Sequence, residues 1–396
     1  MVLNFVPMMK ATIRYLAGIA GPSGYGSKTT ADQVVEDCLR SMPPPPTAPH
    51  LTAIVTGTSL SLSLCATSGL GAEIARVLAK NGVRVIIPAL YRELRKAEKL
   101  KENIEKENQE SEIIISEMDL CSFASIQRFC SDFLSLGLPL HILINNAGIM
   151  SNKLQFSEDN IELTFATNYI EMLSEKIMET ASESGKEGRI VNVSSVAHNW
   201  VNAKNFCFDK LLNPESYNQH RAYAQSKLAT ILHAKELARQ FKARKANVTI
   251  NAVHPGAIKT GIFKDISDVT AGMPANIIFS KFSVYYGIQV PEINITGLYV
   301  QASGPCFLLS VQDSFTNGFF VDVCLVNLQG AATTCYVALS PMTTGLSGKY
   351  FADCNETQCS SLANDETEAR KLWNQTRALI QSRLLQPLGQ HDTNLS

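Results

Sequence analysis

The sequence predicts an α/β protein built on a doubly wound parallel sheet, one domain with an N-terminal arm and irregular insertions. Three observations carry this. From residue 51 onward, apolar β-branched runs of strand length alternate with amphipathic helical runs, the pattern of a parallel sheet covered by helices on both faces. The first strand is followed by a glycine-rich turn and a helix, LTAIVTG…TSGLG…AEIARVLAKNG, which together form a phosphate cradle at a helix N-terminus. Two later strands, HILINNAG (141–148) and GRIVNVSS (188–195), end in amide, small or hydroxyl residues. Ligands in open parallel sheets bind at such carboxyl ends.

In chain order, residues 1–50 read as an arm and a connector. Thr30 with Gln33 three residues later forms a capping box that starts a short helix ending before SMPPPPTAP, a semi-rigid proline spacer. The first 31 residues hold Lys10, Arg14 and Lys28 but no acid, which suits either an organellar address or an arm docked on the domain. Residues 51–385 form the main domain. After LTAIVTG come the strand VRVIIPAL, the helix RELRKAEKLKENIEKENQ, the strand SEIIISEMDL and the helix SFASIQRFCSDFLSL, then the two strands already named. Residues 386–396 read as a disordered tail. Insertions interrupt the domain at about 58–65 and 290–328.

The chemistry centres on Tyr223 and Lys227 in RAYAQSKLA. Residues i and i+4 share a helix face, so the ammonium is expected to favour the phenolate and lower the Tyr223 pKa from its ordinary value of about 10. That makes Tyr223 a candidate general acid or base. Ser194 and Ser195 close the VNVSS strand at the carboxyl end where chemistry is expected; Asn145 and Ala147 end the NNAG strand. His198 and His254 read as structural or loop histidines.

Composition bounds the alternatives. At 396 residues and 45% hydrophobic content the chain can bury a large core. A net charge of −1 leaves no footprint for nucleic acid. Ten cysteines without CxxC pairs or histidine partners argue against a metal site and for reduced thiols. No run of 18 or more apolar residues suggests a transmembrane helix.

Taken in order, TG…TSGLG, NNAG, VNVSS, Tyr223-x-x-x-Lys227 and HPG (254–256) resemble the short-chain dehydrogenase/reductase family. RYLAGIAGPSGYGSKTTADQV, TFATNY, QGAATTCYVALSP and GKYFADCNE resemble its retinol-dehydrogenase-like branch, including plant members tied to chloroplast protein import. The resemblance spans roughly residues 9–385 and implies a Rossmann fold and reversible hydride transfer between NADP(H) and a lipophilic alcohol or carbonyl. It implies that Tyr223 exchanges the proton, that Lys227 tunes it and holds the nicotinamide ribose, that Ser195 bonds the substrate oxygen and that Asn168 supports a water relay. Gly57, Ser68, Gly69 and Gly71 would cradle the pyrophosphate, Asp119 would meet the adenine, Asn145 and Ala147 would floor the cofactor, and Pro255, Gly256 and Thr260 would border the nicotinamide. NADP is favoured over NAD because no acid ends the second strand, while Arg92 lies just beyond it. The resemblance also implies a chloroplast location, associated with the inner envelope, with the cytoplasm as the alternative.

Three departures from the family pattern bear on that reading. TSLSLSLC (58–65) separates Gly57 from Gly69 and Gly71, so either the insert loops out or the cradle is lost. About six residues are missing after Asn168, which at roughly 100° per residue would turn the following helical face by about 240°. Residues 290–328 match nothing in the family. An inactive splice variant or a gene-model artefact is thus one alternative reading. The other is an NADPH-sensing component of a chloroplast import or calmodulin-linked complex. For the latter, residues 369–388 form a basic amphipathic run with Leu372, Leu379 and Leu385 beside Trp373, which reads either as a calmodulin target or as the domain's closing helix. Ile262, Phe263, Phe279 and Tyr285 in 257–289 read as a lipophilic lid or a packed helix pair.

Overall fold

The computed structural model describes residues 15, 17–40, 51–58, 69–169, 173–201, 206, 217–256 and 327–384. Ser68, Thr260, the lid at 257–289, the inserts at 59–65 and 290–326, the junction at 170–172 and the tail from 386 lie outside the described residues.

Among the described residues eight strands form one sheet: β1 (Thr52–Val55), β2 (Arg84–Ala89), β3 (Ile113–Glu117), β4 (Ile142–Asn145), β5 (Gly188–Val193), β6 (Val248–His254), β7 (Tyr350–Ala352) and β8 (Asn355–Thr357). Their order is β3-β2-β1-β4-β5-β6-β7-β8. All pairings are parallel except the β7–β8 hairpin. The predicted doubly wound sheet is therefore observed. The order runs one way from β1 to β3 and the other way from β4 onward, so a crevice opens beyond the carboxyl ends of β1 and β4. Register places Val55 beside Ile144 and Asn145 beside Asn192 at that edge.

Helices cover both faces because the strands are apolar on both sides. One face packs α1 (Ala31–Arg40), α2 (Leu70–Lys80), α3 (Leu94–Glu107) and α8 (Asn327–Leu339) over Val55, Val85, Ile87, Ile144 and Val253. The other packs α4 (Phe123–Ser135), α5 (Leu163–Tyr169), α6 (Ser174–Ser184), α7 (Gln219–Arg244) and α9 (Glu366–Leu384) over Ile54, Ile86, Leu143, Ile190 and Ala252.

The capping box forms. Thr30 N donates to Gln33 Oε1 at 2.9 Å and Gln33 N donates to Thr30 Oγ1 at 3.3 Å. Helix α1 then buries Val34, Val35 and Cys38 and pairs Asp32 with Arg76 at 2.6 Å and Lys80 at 3.0 Å on α2. Upstream, Asn355 of β8 accepts from Ser23 N at 2.9 Å and donates to Tyr25 O at 3.1 Å, so the segment before α1 is fastened to the far edge of the sheet.

At the other end of the chain, α9 lies on α7. Leu372 is buried, Leu379 packs on the core, and the Trp373 ring stacks on His233 with centroids 5.4 Å apart. Thr376 Oγ1 donates to the Tyr169 hydroxyl at 3.3 Å. Three of the proposed calmodulin anchors are thus already occupied by the protein's own core, because the apolar stripe that reads as an anchor face is the face that closes the domain. Leu385 lies outside the described residues.

Burial also gives the fold an acid-sensitive set of imidazoles. His141, His198 and His233 are pushed down to about 4 and His254 to about 3, in each case mainly by desolvation. The folded state keeps them neutral where the unfolded chain, near 6.5, takes up protons, so stability is full above about 6.5 and falls as pH drops toward 4. Thermal unfolding across that window is expected to show Tm falling, with a shallower fall for His233→Phe. A flat Tm from pH 7 to pH 4.5 would contradict this.

Candidate active site

Strand β5 ends in Ser194 and Ser195 at the open edge, and α7 brings Tyr223 and Lys227 against them. Asn218 caps α7 by accepting from Arg221 N at 2.9 Å, which fixes where the helix begins and hence where its second turn lies. Tyr223 and Lys227 are 6% and 3% exposed. Lys227 Nζ sits 5.6 Å from the Tyr223 ring centroid and donates to Val193 O at 2.8 Å.

The expected direction of the Tyr223 shift is corrected. Its pKa is pushed up to about 12, because burial of the phenolate outweighs the opposing hydrogen bond with Ser195. Burial also lowers Lys227 to about 8. The i, i+4 spacing does place the ammonium over the ring, but a shared low-dielectric site disfavours both charged forms. At neutral pH Tyr223 is a phenol, a proton donor.

The two serines separate. Ser194 Oγ donates to Lys227 O at 2.7 Å and is used in joining β5 to α7. Ser195 Oγ accepts from Ala197 N at 3.2 Å, capping the short turn Val196–Trp200, and lies beside Tyr223. Its own proton is available to a substrate oxygen.

Asn168, on α5, accepts from Ile149 N at 2.8 Å and donates to Ile149 O at 3.0 Å and Ser226 Oγ at 2.9 Å. Its side chain thus clamps the turn after β4 to α7. Gly148 makes the approach possible: a Cβ there would lie 3.2 Å from Lys227 Nζ and 3.6 Å from Asn168 Oδ1. Tyr223, Lys227, Ser195 and Asn168 therefore meet at the ends of β4 and β5.

Toward β1, the interrupted turn is closed at both of its described ends. Gly57 has φ +73° and abuts Ala147, while Gly71 in the first turn of α2 abuts Gly57 O and the Asn146 amide. Gly69 is the N-cap of α2 and makes no side-chain cap, and the first N–H groups of a helix have no partner within the helix itself. Asn145 donates to Asn192 Oδ1 at 2.8 Å, and with Ala147 and Asn168 it borders the space between β1, β4 and α5. A cavity of about 180 Å³ opens between Gly57, Arg92, Asp119 and Thr167. Arg92 reaches it from the short turn Tyr91–Glu93. Ser122 caps α4, and Asp119 Oδ1 accepts from Cys121 N at 2.8 Å. Pro255 and Gly256, at φ +84°, follow β6.

Thr56 is a residue that sequence reading passed over. Its Oγ1 accepts from Asn146 N and Ala147 N, each at 3.1 Å, and donates to Ile144 O at 3.4 Å, tying the two strand ends that flank the crevice. Its place directly before Gly57 was the available signal.

A parallel sheet with a glycine turn at its switch point and a Ser–Tyr–Lys group at its strand ends is the frame of a nicotinamide-dependent oxidoreductase. The chain belongs to the short-chain dehydrogenase/reductase family, whose members bind a nicotinamide cofactor: residues 52–207 match the short chain dehydrogenase family. It is 38% identical over 373 residues to short-chain dehydrogenase TIC 32 B, chloroplastic, of Brassica napus, covering 93% of this chain and 98% of that one. It is 30% identical over 343 residues to retinol dehydrogenase 14 of Homo sapiens, covering 83% and 86%. A solved structure of an uncharacterized protein from Mycobacterium paratuberculosis shares the fold, with a TM-score of 0.51 at 23% identity over 84% of this chain and 93% of that one.

Proposed function

We propose that the protein is an NADP(H)-dependent oxidoreductase interconverting a lipophilic alcohol and its carbonyl. The observation that carries this is the buried group at the ends of β4 and β5, where Tyr223 lies against Ser195 while Lys227 and Asn168 meet at Gly148. The cofactor supplies or accepts hydride when bound. Tyr223 gives its phenolic proton to the forming alkoxide in the reducing direction, and Ser195 donates a hydrogen bond to the same oxygen. Lys227 holds positive charge beneath the ring and stabilises the phenolate left behind. Asn168 keeps Lys227 in line through Ser226 and the Ile149 turn. Similarity to retinol dehydrogenase 14 supports a lipophilic substrate.

The residues present fit the cofactor. Gly57 and Gly71 bring the β1 turn and α2 to backbone contact, and Arg92 with Asp119 borders the cavity beyond them. β2 ends at Ala89 without an acid to bond a ribose hydroxyl, so Arg92 is assigned to the 2′-phosphate. Titrating intrinsic fluorescence with NADPH and NADH is expected to show tighter NADPH binding. Arg92→Ala should remove roughly 10- to 100-fold of NADPH affinity, the worth of a charge-assisted bond, with little change for NADH. Equal affinities for both cofactors in the parent protein would exclude the assignment.

Similarity to the chloroplastic relative over nearly the whole chain supports a chloroplast location, and the second reading is a protein at the inner envelope that senses NADPH within an import complex. Among the described residues no helix is long and apolar enough to cross a membrane. Tight NADPH binding without reduction of aldehydes such as decanal would favour this reading. Calmodulin binding would require α9 to lift Leu372 and Trp373 from α7.

A further inference from the structure

We propose that His198 is a positioning residue for Ser195, locking its carbonyl and thereby aiming its hydroxyl; the role rests on the Ser195 assignment above. The Ser195 carbonyl accepts two bonds from the same residue, from His198 N at 3.1 Å and from His198 Nδ1 at 2.7 Å. The opposite ring nitrogen, Nε2, accepts from Ser360 N at 3.2 Å. A single neutral tautomer, with the proton on Nδ1 and the lone pair on Nε2, satisfies both partners. The ring is 1% exposed, and it stands edge-on to Tyr350 with centroids 5.0 Å apart at 67°. Burial holds it neutral, near 4.

These contacts fix the peptide plane that follows Ser195. Ser195 has an extended backbone at φ −157° and ψ 156°, and its Oγ is held to Ala197 N. Removing the ring bond leaves the carbonyl with its backbone partner alone and lets that plane tilt. A shift of about 1 Å at a group that must meet a reacting oxygen costs roughly 100-fold in rate. The far end of the bridge is set by the turn before α9, where Ser360 Oγ accepts from Ala363 N at 3.2 Å and Ser360 O accepts from Asn364 N at 3.2 Å. His198 thus couples the C-terminal segment to the serine across 162 residues of sequence.

The test uses the full chain with NADPH and decanal, and two substitutions. His198→Phe keeps a ring but loses both bonds; His198→Asn keeps a donor near the Nδ1 position. The expected result is a roughly 10- to 100-fold fall in kcat for His198→Phe with NADPH affinity unchanged, and recovery of most of it in His198→Asn. In a Ser195→Ala background, His198→Phe should cause no further loss, because the serine through which it acts is gone. Full kcat in a folded His198→Phe protein, or an equal loss in both backgrounds, would overturn the role. Isotope-labelled imidazole NMR of the unsubstituted protein reads the lock without turnover and decides it even if His198→Phe fails to fold: a proton on Nδ1 supports it and a proton on Nε2 overturns it. A parent protein that binds NADPH yet reduces no aldehyde would count against the proposed activity, leaving the NMR result to decide the His198–Ser195 contact by itself.

Discussion

Tyr223→Phe is expected to lower kcat for aldehyde reduction by roughly 10²- to 10⁴-fold, the usual contribution of a positioned general acid, while leaving NADPH affinity within a factor of about three. The substitution removes one oxygen from a ring that is 6% exposed and otherwise packed in the core, so the fold should survive. The pH dependence is specified by the same burial. Tyr223, raised to about 12, stays protonated through the neutral and mildly alkaline range. Lys227, lowered to about 8, loses its proton as pH rises through that value. The reductive rate is therefore expected to fall above pH 8 with the lysine, not the tyrosine, as the limiting group, and Lys227→Met should abolish that limb along with most of the rate. Steady-state NADPH oxidation across pH 6 to pH 10 checks both statements. Retained turnover in Tyr223→Phe would place proton transfer elsewhere.

What could be read from the sequence was whatever depends on near neighbours. The β-branched runs at Thr52–Val55, Ile142–Asn145 and Gly188–Val193 became the strands that carry the site, because two-sided burial writes itself as an unbroken apolar run. The Tyr223 and Lys227 pair was visible because helix geometry converts a spacing of four into one face. The sign of the Tyr223 shift was not, since desolvation comes from residues scattered over the whole fold. The same holds for Asp119 and Ser122, two polar residues beside the start of α4: only the backbone path decides which one caps the helix. The bridge from His198 to Ser360 and the stacking of Trp373 on His233 join distant segments, and an apolar helical stripe looks the same whether a partner or the protein's own α7 will cover it.

The largest stability effect is expected at Gly57, where the doubt raised by the inserted TSLSLSLC segment can be decided. Gly57 has φ +73°, a conformation that costs an ordinary L-residue roughly 1–2 kcal/mol. A Cβ there would also lie 2.5 Å from Ala147 Cα and 2.8 Å from Ala147 N, backbone atoms of a central strand end that cannot turn aside, adding roughly 1–3 kcal/mol of overpacking. Gly57→Ala should therefore lose a substantial part of a total stability of about 5–15 kcal/mol, seen as a Tm lower by roughly 5–15 °C. Because Gly57 O lies where it would touch a Cβ on Gly71 at 2.7 Å, any retreat of residue 57 displaces the first turn of α2 and with it the N–H groups proposed to meet the phosphate. NADPH affinity should fall at least tenfold in the surviving folded protein. Gly69→Ala is the control: among the described residues nothing lies within 4 Å of its Cβ position, so Tm should stay near the parent value while any loss of affinity reports contact with the phosphate itself. If Gly57→Ala leaves both Tm and NADPH affinity intact, the two halves of the glycine turn are not joined across the inserted segment and the cradle does not form.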